Sequence, residues 1–434
     1  MKRMEPFCFV HAADLHLGTP FRWLALRQPW LMERLQQATY RAWERIVDLA
    51  IAHQAAFVTL GGDLFDTADR NLIAQQRFYD GVHRLGEAGI PVFAVAGNHD
   101  PLDAQRPRLK PPENLTIFPS GHVASFPVLL DQRELAQIYG ISYPSRFVAD
   151  NYASRFHRQD SAPFAVALLH TNVGGDPAHE NDAPCRLDDL LREPFDCWAL
   201  GHIHAHRTLH EAAPLVCYPG NPQGRDFGES GDRGCLLIRV DEAGIPHPSF
   251  VAVDDVRFLQ ERITLPGQAD ETSLNEALLA AKQALRRQAG VDRRTRGCVA
   301  RLTVEGGAEV AALQDEAVQA EVLQWLRDGE AERPDFVYIE QILPNVRPEA
   351  LATPDPHGFS GALLQMAEAI AADPEARTAL LEAITAELTA TRSAHVRLLR
   401  ERLPEVIATL PPTWLQQSAR RALRRLLEED DADR

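Results

Sequence analysis

Five short polar motifs each stand directly after an apolar stretch that is typical of a buried strand. In chain order they are Asp14-Leu15-His16, Gly62-Asp63, Gly97-Asn98-His99-Asp100, His170 and Gly201-His202-Ile203-His204. In open α/β sheets the carboxyl ends of the strands meet at one edge, where ligands bind. We therefore expect these strand ends to converge on a single cleft.

The side chains in these motifs are of the types that bind divalent metal ions. Carboxylate and amide oxygens with imidazole nitrogens, and no thiolate, suit manganese, iron or zinc. One ion needs about four ligands, so the larger set of candidates indicates two ions, typically about 3.5–4 Å apart. The candidates are Asp14, His16, Asp63, Asn98, His170, His202 and His204. We favour Mn²⁺, with Fe²⁺ or Zn²⁺ as alternatives.

The spacing of the motifs suggests how the ligands are shared. One carboxylate must bridge two ions, and Asp63 is the natural choice because no second ligand stands beside it. Asp14 and His16 are two residues apart, which places them on the same side of an extended chain, and the same holds for His202 and His204. Each motif alone has a simpler interpretation, since Gly-Asp is often only a turn and a single histidine is often a core residue. The prediction depends on their conjunction.

The order of apolar segments divides the chain into three regions. Up to residue 255, strands alternate with helices as in an α/β fold, and short turns between the later strands predict a mixed sheet. Residues 256–345 predict a small α+β capping domain. Residues 346–434 begin with a proline-rich linker and continue as short helices that prolines such as Pro374 separate.

Composition restricts the function and the location. A formal net charge of −16 argues against a protein that coats DNA, but not against a nuclease whose metal ions supply local positive charge. The six cysteines form no CxxC pair, so neither a structural zinc site nor a disulfide framework is expected. The first apolar run is too short for a signal peptide, and no run approaches the roughly 20 residues that span a bilayer. We expect a cytoplasmic protein without membrane association.

The ordered motifs resemble those of the calcineurin-like metallophosphoesterase superfamily. Residues 11–18 (HAADLHLG) and 61–66 (GGDLFD) resemble the SbcD-type DNA repair exonucleases, most closely their YhaO-like bacterial branch. This resemblance implies a two-sheet sandwich flanked by helices and a nuclease, exonuclease or endonuclease, that acts in DNA repair and recombination. It also implies that the helical C-terminal region docks on the coiled coil of an SMC-like ATPase.

The resemblance also assigns roles to residues. It implies that Asp14, His16, Asp63 and His204 hold one metal ion, and that Asp63, Asn98, His170 and His202 hold the other. His99 matches the family's catalytic histidine. Asp66 stands where archaeal and eukaryotic relatives carry a histidine that helps to position DNA.

Several roles remain open at the level of sequence. Asp100 either orients His99 in catalysis or caps the following turn. Arg22, Arg106 and Arg108 follow metal motifs and are candidate DNA contacts, whereas a second basic cluster lies in the capping domain at Arg286, Arg287, Arg293, Arg294 and Arg296. The capping domain either selects DNA ends or serves for homodimerisation or packing.

A different substrate is the main alternative for the function. A phosphoprotein phosphatase or a small-molecule phosphodiesterase could use the same metal site. Thr67 follows Asp66, however, where protein phosphatases of this superfamily carry an arginine.

Overall fold

The structure, a computed structural model, describes residues 4–21, 28–66, 72–103, 109–130, 132–158, 162–176, 180–266, 269–290, 296–347, 359–389, 414–415 and 418–419. The chain divides into two compact units. The first comprises residues 1–264, 272–304 and 313–344, and the second comprises residues 265–271, 305–312 and 345–434. The domain boundaries at residues 255 and 345 stay predictions.

The elements alternate as an α/β protein does. The strands are β1 Phe7–Ala12, β2 Val58–Leu60, β3 Val92–Ala94, β4 Leu115–Ile117, β5 Ala124–Leu130, β6 Arg133–Gly140, β7 Ala165–His170, β8 Cys197–Gly201, β9 Arg207–His210, β10 Leu215–Tyr218, β11 Gly234–Val240, β12 Pro246–Ala252, β13 Val256–Thr264, β14 Gly297–Gly306 and β15 Val337–Val346. The helices are α1 Pro29–Ala52, α2 Leu72–Glu87, α3 Leu187–Leu191, α4 Glu271–Ala289, α5 Ala308–Ala311, α6 Glu316–Arg327, α7 Phe359–Ala372 and α8 Pro374–Thr389.

Two six-stranded sheets form the sandwich that the resemblance implied. The first has the order β12-β11-β1-β2-β3-β4, and the second has the order β5-β6-β7-β8-β10-β9. Strands β1 to β4 are parallel to one another, as are β6, β7, β8 and β10, whereas β5, β9, β11 and β12 pair antiparallel. The prediction of a mixed sheet is therefore confirmed.

An aromatic-rich core joins the two sheets. Phe9 from β1 stacks on Phe57 at 4.6 Å between ring centroids, and it lies 6.2 Å from Phe164, which precedes β7 in the other sheet. Cys197 from β8 and Cys217 from β10 are buried in the same cluster. All six cysteines are free thiols, and five of them are buried as small apolar residues.

Helices α1 and α2 cover the outer face of the first sheet. Pro29 suits the first turn of α1 because that turn needs no backbone N–H bond. Buried residues then recur at helical spacing along α1, as at Leu35, Ala42 and Ile46. The first turns of α1 also pack against Phe258 of β13 and against Phe336, which directly precedes β15 of the small β13-β14-β15 sheet.

Buried ion pairs hold the small α+β module together. Glu330 bonds Lys282 and Arg286, each at 2.7 Å. Arg296 is 1% exposed and donates from Nε to the carbonyl oxygen of Asp254 at 2.7 Å. Internal acceptors bind the guanidinium groups of Arg286 and Arg296, so the structure favours a structural role for these two members of the basic cluster. Arg293 and Arg294 lie outside the described residues.

The second unit contains α7 and α8, and α8 begins at Pro374 as the sequence predicts. None of the described helices is long and apolar enough to cross a membrane.

Candidate metal centre

The seven predicted ligands come together at the carboxyl ends of β1, β2, β3, β7 and β8. The predicted convergence is therefore observed, but three of these strands belong to the first sheet and two to the second. One end of the sandwich, rather than the edge of one sheet, builds the cleft. Five of the ligands are buried and two are partly exposed; the two are Asn98 and His204.

The backbone at four ligand positions is left-handed. The φ angle is 53° at Asp14, 43° at His16, 52° at Asp63 and 102° at His202. Residues other than glycine rarely adopt such angles, and they persist where surrounding contacts fix them. Here the N–H groups of Asp14 and His16 donate to the carbonyl oxygens of Gly62 and Asp63, each at 3.0 Å. Asp14 and His16 are therefore brought together by this left-handed backbone. The predicted reason, alternation of side chains along an extended chain, is wrong.

Asp14, His16 and His204 form the first group of candidate ligands. One candidate ligand atom of each lies within 4.8 Å of the others. His16 Nε2 is 3.3 Å from His204 Nε2 and 3.8 Å from Asp63 Oδ2. Both carboxylate oxygens of Asp14 accept the backbone N–H of His202 at 3.1 Å, which fixes the plane of the carboxylate.

The second group surrounds His170. Its Nε2 lies 3.0 Å from Asn98 Oδ1, 3.3 Å from His202 Nδ1 and 3.6 Å from Asp63 Oδ2. Asp63 thus lies against imidazole nitrogens of both groups, as a bridging carboxylate must.

Hydrogen bonds on the outer sides of two histidine rings fix their protons. His170 Nδ1 lies 2.8 Å from the carbonyl oxygen of Gly61, and His202 Nε2 lies 2.7 Å from that of Glu180. A carbonyl oxygen only accepts, so these outer nitrogens carry the protons. The inner nitrogens, His170 Nε2 and His202 Nδ1, then carry lone pairs that face each other at 3.3 Å. The two lone pairs repel each other, and a cation bound by both nitrogens would remove this repulsion.

His204 is oriented by a carboxylate in the same way. Its Nδ1 lies 2.7 Å from Glu229 Oε1 and 2.9 Å from Arg225 Nη2. A carboxylate oxygen only accepts, so the 2.7 Å contact with Glu229 requires a proton on Nδ1, and Arg225 Nη2 donates to the same oxygen at 2.8 Å. The His204 Nδ1 proton therefore goes to Glu229, and the Nε2 lone pair faces His16. The donor set fits two divalent cations bound by oxygen and neutral imidazole.

Burial disfavours charge on two of the candidate ligands, Asp14 and His16. Burial, and then the charge of Asp63, raises the pKa of Asp14 well above its ordinary value. Burial lowers the pKa of His16 well below its ordinary value. Bound cations reverse this balance for the carboxylates because they favour deprotonated ligands.

Glycines allow the loops to approach one another. A Cβ atom on Gly97 would overlap Asp63 Oδ1 and lie 2.8 Å from His170 Cε1. Gly62 has a φ angle of 98°, and a Cβ there would lie 2.6 Å from His170 Nδ1. These glycines are therefore required by contact between ligand loops, beyond their role in turns.

His99 lies beside both ligand groups, and its side chain is 37% exposed. Its ring meets that of His16 edge-on, with 4.7 Å between the centroids. Its Nδ1 is 3.9 Å from Asp66 Oδ1. Burial lowers the pKa of His99, but bonding to Asp66 and the charges of Asp63 and Asp66 outweigh this effect and raise it. The acidic residue predicted as a DNA contact thus faces the predicted catalytic histidine.

Asp100 holds the ligand loops together. Its two carboxylate oxygens accept the backbone N–H groups of Gly97 and Leu64, each at 2.8 Å. The side chain therefore links the loop after β3 to the loop after β2. This placement is a structural role that was not predicted from the sequence, and both the cap on the following turn and a part in catalysis stay predictions.

Sequence reasoning missed Arg225 and Glu229. Both follow β10, which is parallel to β8, so its carboxyl end points to the same end of the sandwich. One sequence signal could have found them: the turn-rich segment 219–224 follows an apolar strand, as the predicted ligand motifs do. Arg22, Arg106 and Arg108 lie outside the described residues.

The comparisons with known proteins agree with this geometry. Residues 8–206 match the model of the calcineurin-like phosphoesterase family. The chain is 34% identical over 331 residues to the "uncharacterized metallophosphoesterase YhaO" of Bacillus subtilis, a match that covers 76% of this chain and 79% of that protein. The chain belongs to the calcineurin-like metallophosphoesterases. It is accordingly a hydrolase of phosphoester bonds with a site for two metal ions.

This metallophosphoesterase also has more distant relatives that are named as nucleases or repair proteins. It is 25% identical over 223 residues to the "DNA double-strand break repair protein Mre11" of Sulfurisphaera tokodaii, which covers 49% of this chain and 53% of that protein. It is 25% identical over 262 residues to one of the subunits of the SbcCD nuclease of Bacillus subtilis, which covers 51% and 63%. Neither match reaches two thirds of the relative's length.

Proposed function

We propose that this metallophosphoesterase is a DNA nuclease that hydrolyses phosphodiester bonds during DNA repair. The observation that carries the proposal is the convergence of imidazole lone pairs and carboxylates beside a partly exposed His99. Two divalent cations bound there would lower the pKa of a water molecule towards 7 and neutralise phosphate charge. The names of the Mre11 and SbcCD relatives support DNA as the substrate.

We assign one cation to each of the two groups of candidate ligands. Asp14, His16 and His204 hold one cation, and Asn98, His170 and His202 hold the other. Asp63 bridges them because it lies 3.8 Å from His16 Nε2 and 3.6 Å from His170 Nε2. We propose Mn²⁺ as the cation, because the oxygen and imidazole donors suit it.

His99 acts on the substrate rather than on a metal ion. Asn98, its neighbour, already supplies the ligand from this loop, and the Asp66 carboxylate beside Nδ1 favours a proton on that ring. His99 therefore donates a hydrogen bond or a proton to an oxygen of the phosphate or of the leaving group. Asp66 lies 3.9 Å from His99 Nδ1 and, with Asp63, raises the pKa of the ring.

The two regions that follow the phosphoesterase domain have separate proposed roles. The α+β region 256–345 caps the cleft, and the helical region 346–434 docks on an SMC-like ATPase in the cytoplasm. The basis for the partner is the distant likeness to the SbcCD nuclease and to Mre11.

The decisive experiment compares substrates with purified, Mn²⁺-loaded protein. Linear duplex, single-stranded and hairpin DNA are tested beside bis(nitrophenyl) phosphate and nitrophenyl phosphate, with Asp63→Asn as the inactive control. Cleavage of DNA and of the diester, lost in the control, supports the nuclease. Turnover of the monoester alone would favour a phosphatase, and turnover of the diester without DNA cleavage would favour a small-molecule phosphodiesterase.

A further inference from the structure

Arg225 places a guanidinium group next to the metal centre and keeps one edge of it unbonded. Its Nε lies 3.3 Å from both carboxylate oxygens of Glu229, and its Nη2 donates to Oε1 at 2.8 Å. Within the part of the chain that the structure describes, Nη1 donates no hydrogen bond. The side chain is 20% exposed, so a ligand can reach it.

The guanidinium shares the cleft with the ligands and with His99. Nη2 lies 2.9 Å from the ring of His204. The positive charge of Arg225 acts on the His16 and His99 rings, and the negative charge of Asp14 and Asp66 acts on Arg225. A phosphate held at the metal centre therefore lies within the field of this arginine.

The segment that carries Arg225 is held firmly. Phe227 packs edge-on against Phe258 of β13 at 5.2 Å, and the Arg301 guanidinium of β14 lies 4.0 Å above its ring. Asn221 Nδ2 donates to Glu229 Oε2 at 2.7 Å. The guanidinium is thus oriented before any ligand arrives, which increases the value of an electrostatic contact.

We propose that Arg225 binds a non-bridging oxygen of the substrate phosphate through Nη1, and so sets substrate affinity at this centre. A fixed guanidinium with free donors is well suited to phosphate, and a bond between two charged groups is among the stronger hydrogen bonds in proteins. A purely structural arginine would need only the edge that faces Glu229. The proposal rests on the proposed function only in that a phosphoester enters the cleft.

The test measures phosphate binding apart from turnover. Binding of inorganic phosphate to Mn²⁺-loaded protein is followed by calorimetry for the native chain, Arg225→Lys and Arg225→Met, together with metal content and the KM for bis(nitrophenyl) phosphate. One charged hydrogen bond contributes about 1.5–3 kcal/mol, which corresponds to about a ten- to hundredfold change. Arg225→Met should weaken phosphate binding and raise KM by that factor at full metal occupancy, and Arg225→Lys should lose less.

Arg155→Met is the matched control. Its guanidinium pairs with Asp150 at 2.7 Å and lies 4.3 Å from the Tyr152 ring centroid, and its loss should leave phosphate binding unchanged. Unchanged phosphate affinity per occupied site in Arg225→Met would overturn the proposal, whether or not that variant also loses metal. Failure of the native protein on DNA would overturn the nuclease assignment alone, because the phosphate measurement uses no DNA.

Discussion

Glu229 accepts the Nδ1 proton of His204 at 2.7 Å, so the opposite nitrogen of that ring keeps its lone pair for a metal ion. Burial of Glu229 raises its pKa, but bonds from His204 and Arg225 and the Arg225 charge outweigh burial and hold the pKa well below its ordinary value. Glu229 is therefore a carboxylate that only accepts, and it fixes both the orientation and the proton of the ring. It belongs to the metal centre without being a candidate ligand itself.

We expect Glu229→Gln to weaken metal binding about 10–100-fold, which is the usual effect of removing such an outer carboxylate. The amide lacks the negative charge that makes the His204 ring a better ligand. Competition with a chelator for Mn²⁺ measures the change. Glu193→Gln, which breaks the exposed pair with His157 at 3.0 Å, is the control and should retain full affinity. Equal affinities in the two variants would contradict the role of Glu229.

Asp63→Ala should abolish hydrolysis while the protein stays folded. Asp63 lies against both ligand groups, so its loss removes a ligand from each cation at once. Metal content measured by emission spectroscopy should fall well below two ions per chain, with the circular dichroism spectrum unchanged. Retention of two ions and normal turnover would refute the bridging assignment.

His99→Asn should retain both metal ions and lose about 10²–10⁴-fold in rate on DNA, the range that is typical of general acid–base catalysis. A nitrophenyl diester should lose less because its leaving group needs no proton. Rates on the two substrates, with metal content, measure this. Equal losses would point to stabilisation of transition-state charge, and a lost metal ion would show that His99 is a ligand.

His11 should make the metal-free protein sensitive to acid. Its Nδ1 meets Thr59 Oγ1 at 3.0 Å and its Nε2 meets the Leu200 carbonyl oxygen at 2.9 Å, and burial lowers its pKa to about 4. In the unfolded chain the His11 ring binds a proton near pH 6.5, whereas the folded protein resists this until about pH 4. The contribution of neutral His11 to folding stability is therefore complete above about pH 6.5 and is lost as the pH falls towards 4.

Urea unfolding of the protein in chelator, between pH 7.5 and 5, checks this prediction. Below pH 6, His11 should lower the free energy of unfolding by an amount that approaches about 1.4 kcal/mol per pH unit. His11→Gln lacks the titrating ring, so its stability should depend less on pH. Identical pH profiles for the two proteins would exclude His11 as the cause.

Removal of the residues after Thr353 should separate catalysis from partner binding. The ligand loops all lie before residue 205, so the truncated chain should still hydrolyse a small phosphodiester with Mn²⁺. Co-purification with an SMC-like ATPase should be lost, because the predicted docking helices are absent. Unchanged co-purification would count against this partner site.

Strong local patterns predicted much of the secondary structure. The mostly apolar runs at 215–218 and 234–240 stand between turn residues and coincide with β10 and β11. Five strands of the described residues were not predicted: β4, β5, β6, β9 and β12. β5 is an edge strand of mostly exposed residues, and β9 is a short edge strand, so neither shows a clear buried pattern.

The sequence by itself indicated the candidate ligand set, because side chains that bind metals follow apolar strands, and strand ends can meet. It could not determine how the ligands are held. The left-handed backbone at Asp14 and His16 depends on bonds to a loop almost 50 residues away, and the His204 ring depends on Glu229 beyond another strand. Such contacts leave no periodic trace in the sequence, since they arise only when two sheets pack and bring separate loops to one end. The sequence therefore indicated which side chains could bind metal ions, whereas the tertiary structure determined how these side chains are oriented and which ring nitrogens carry protons.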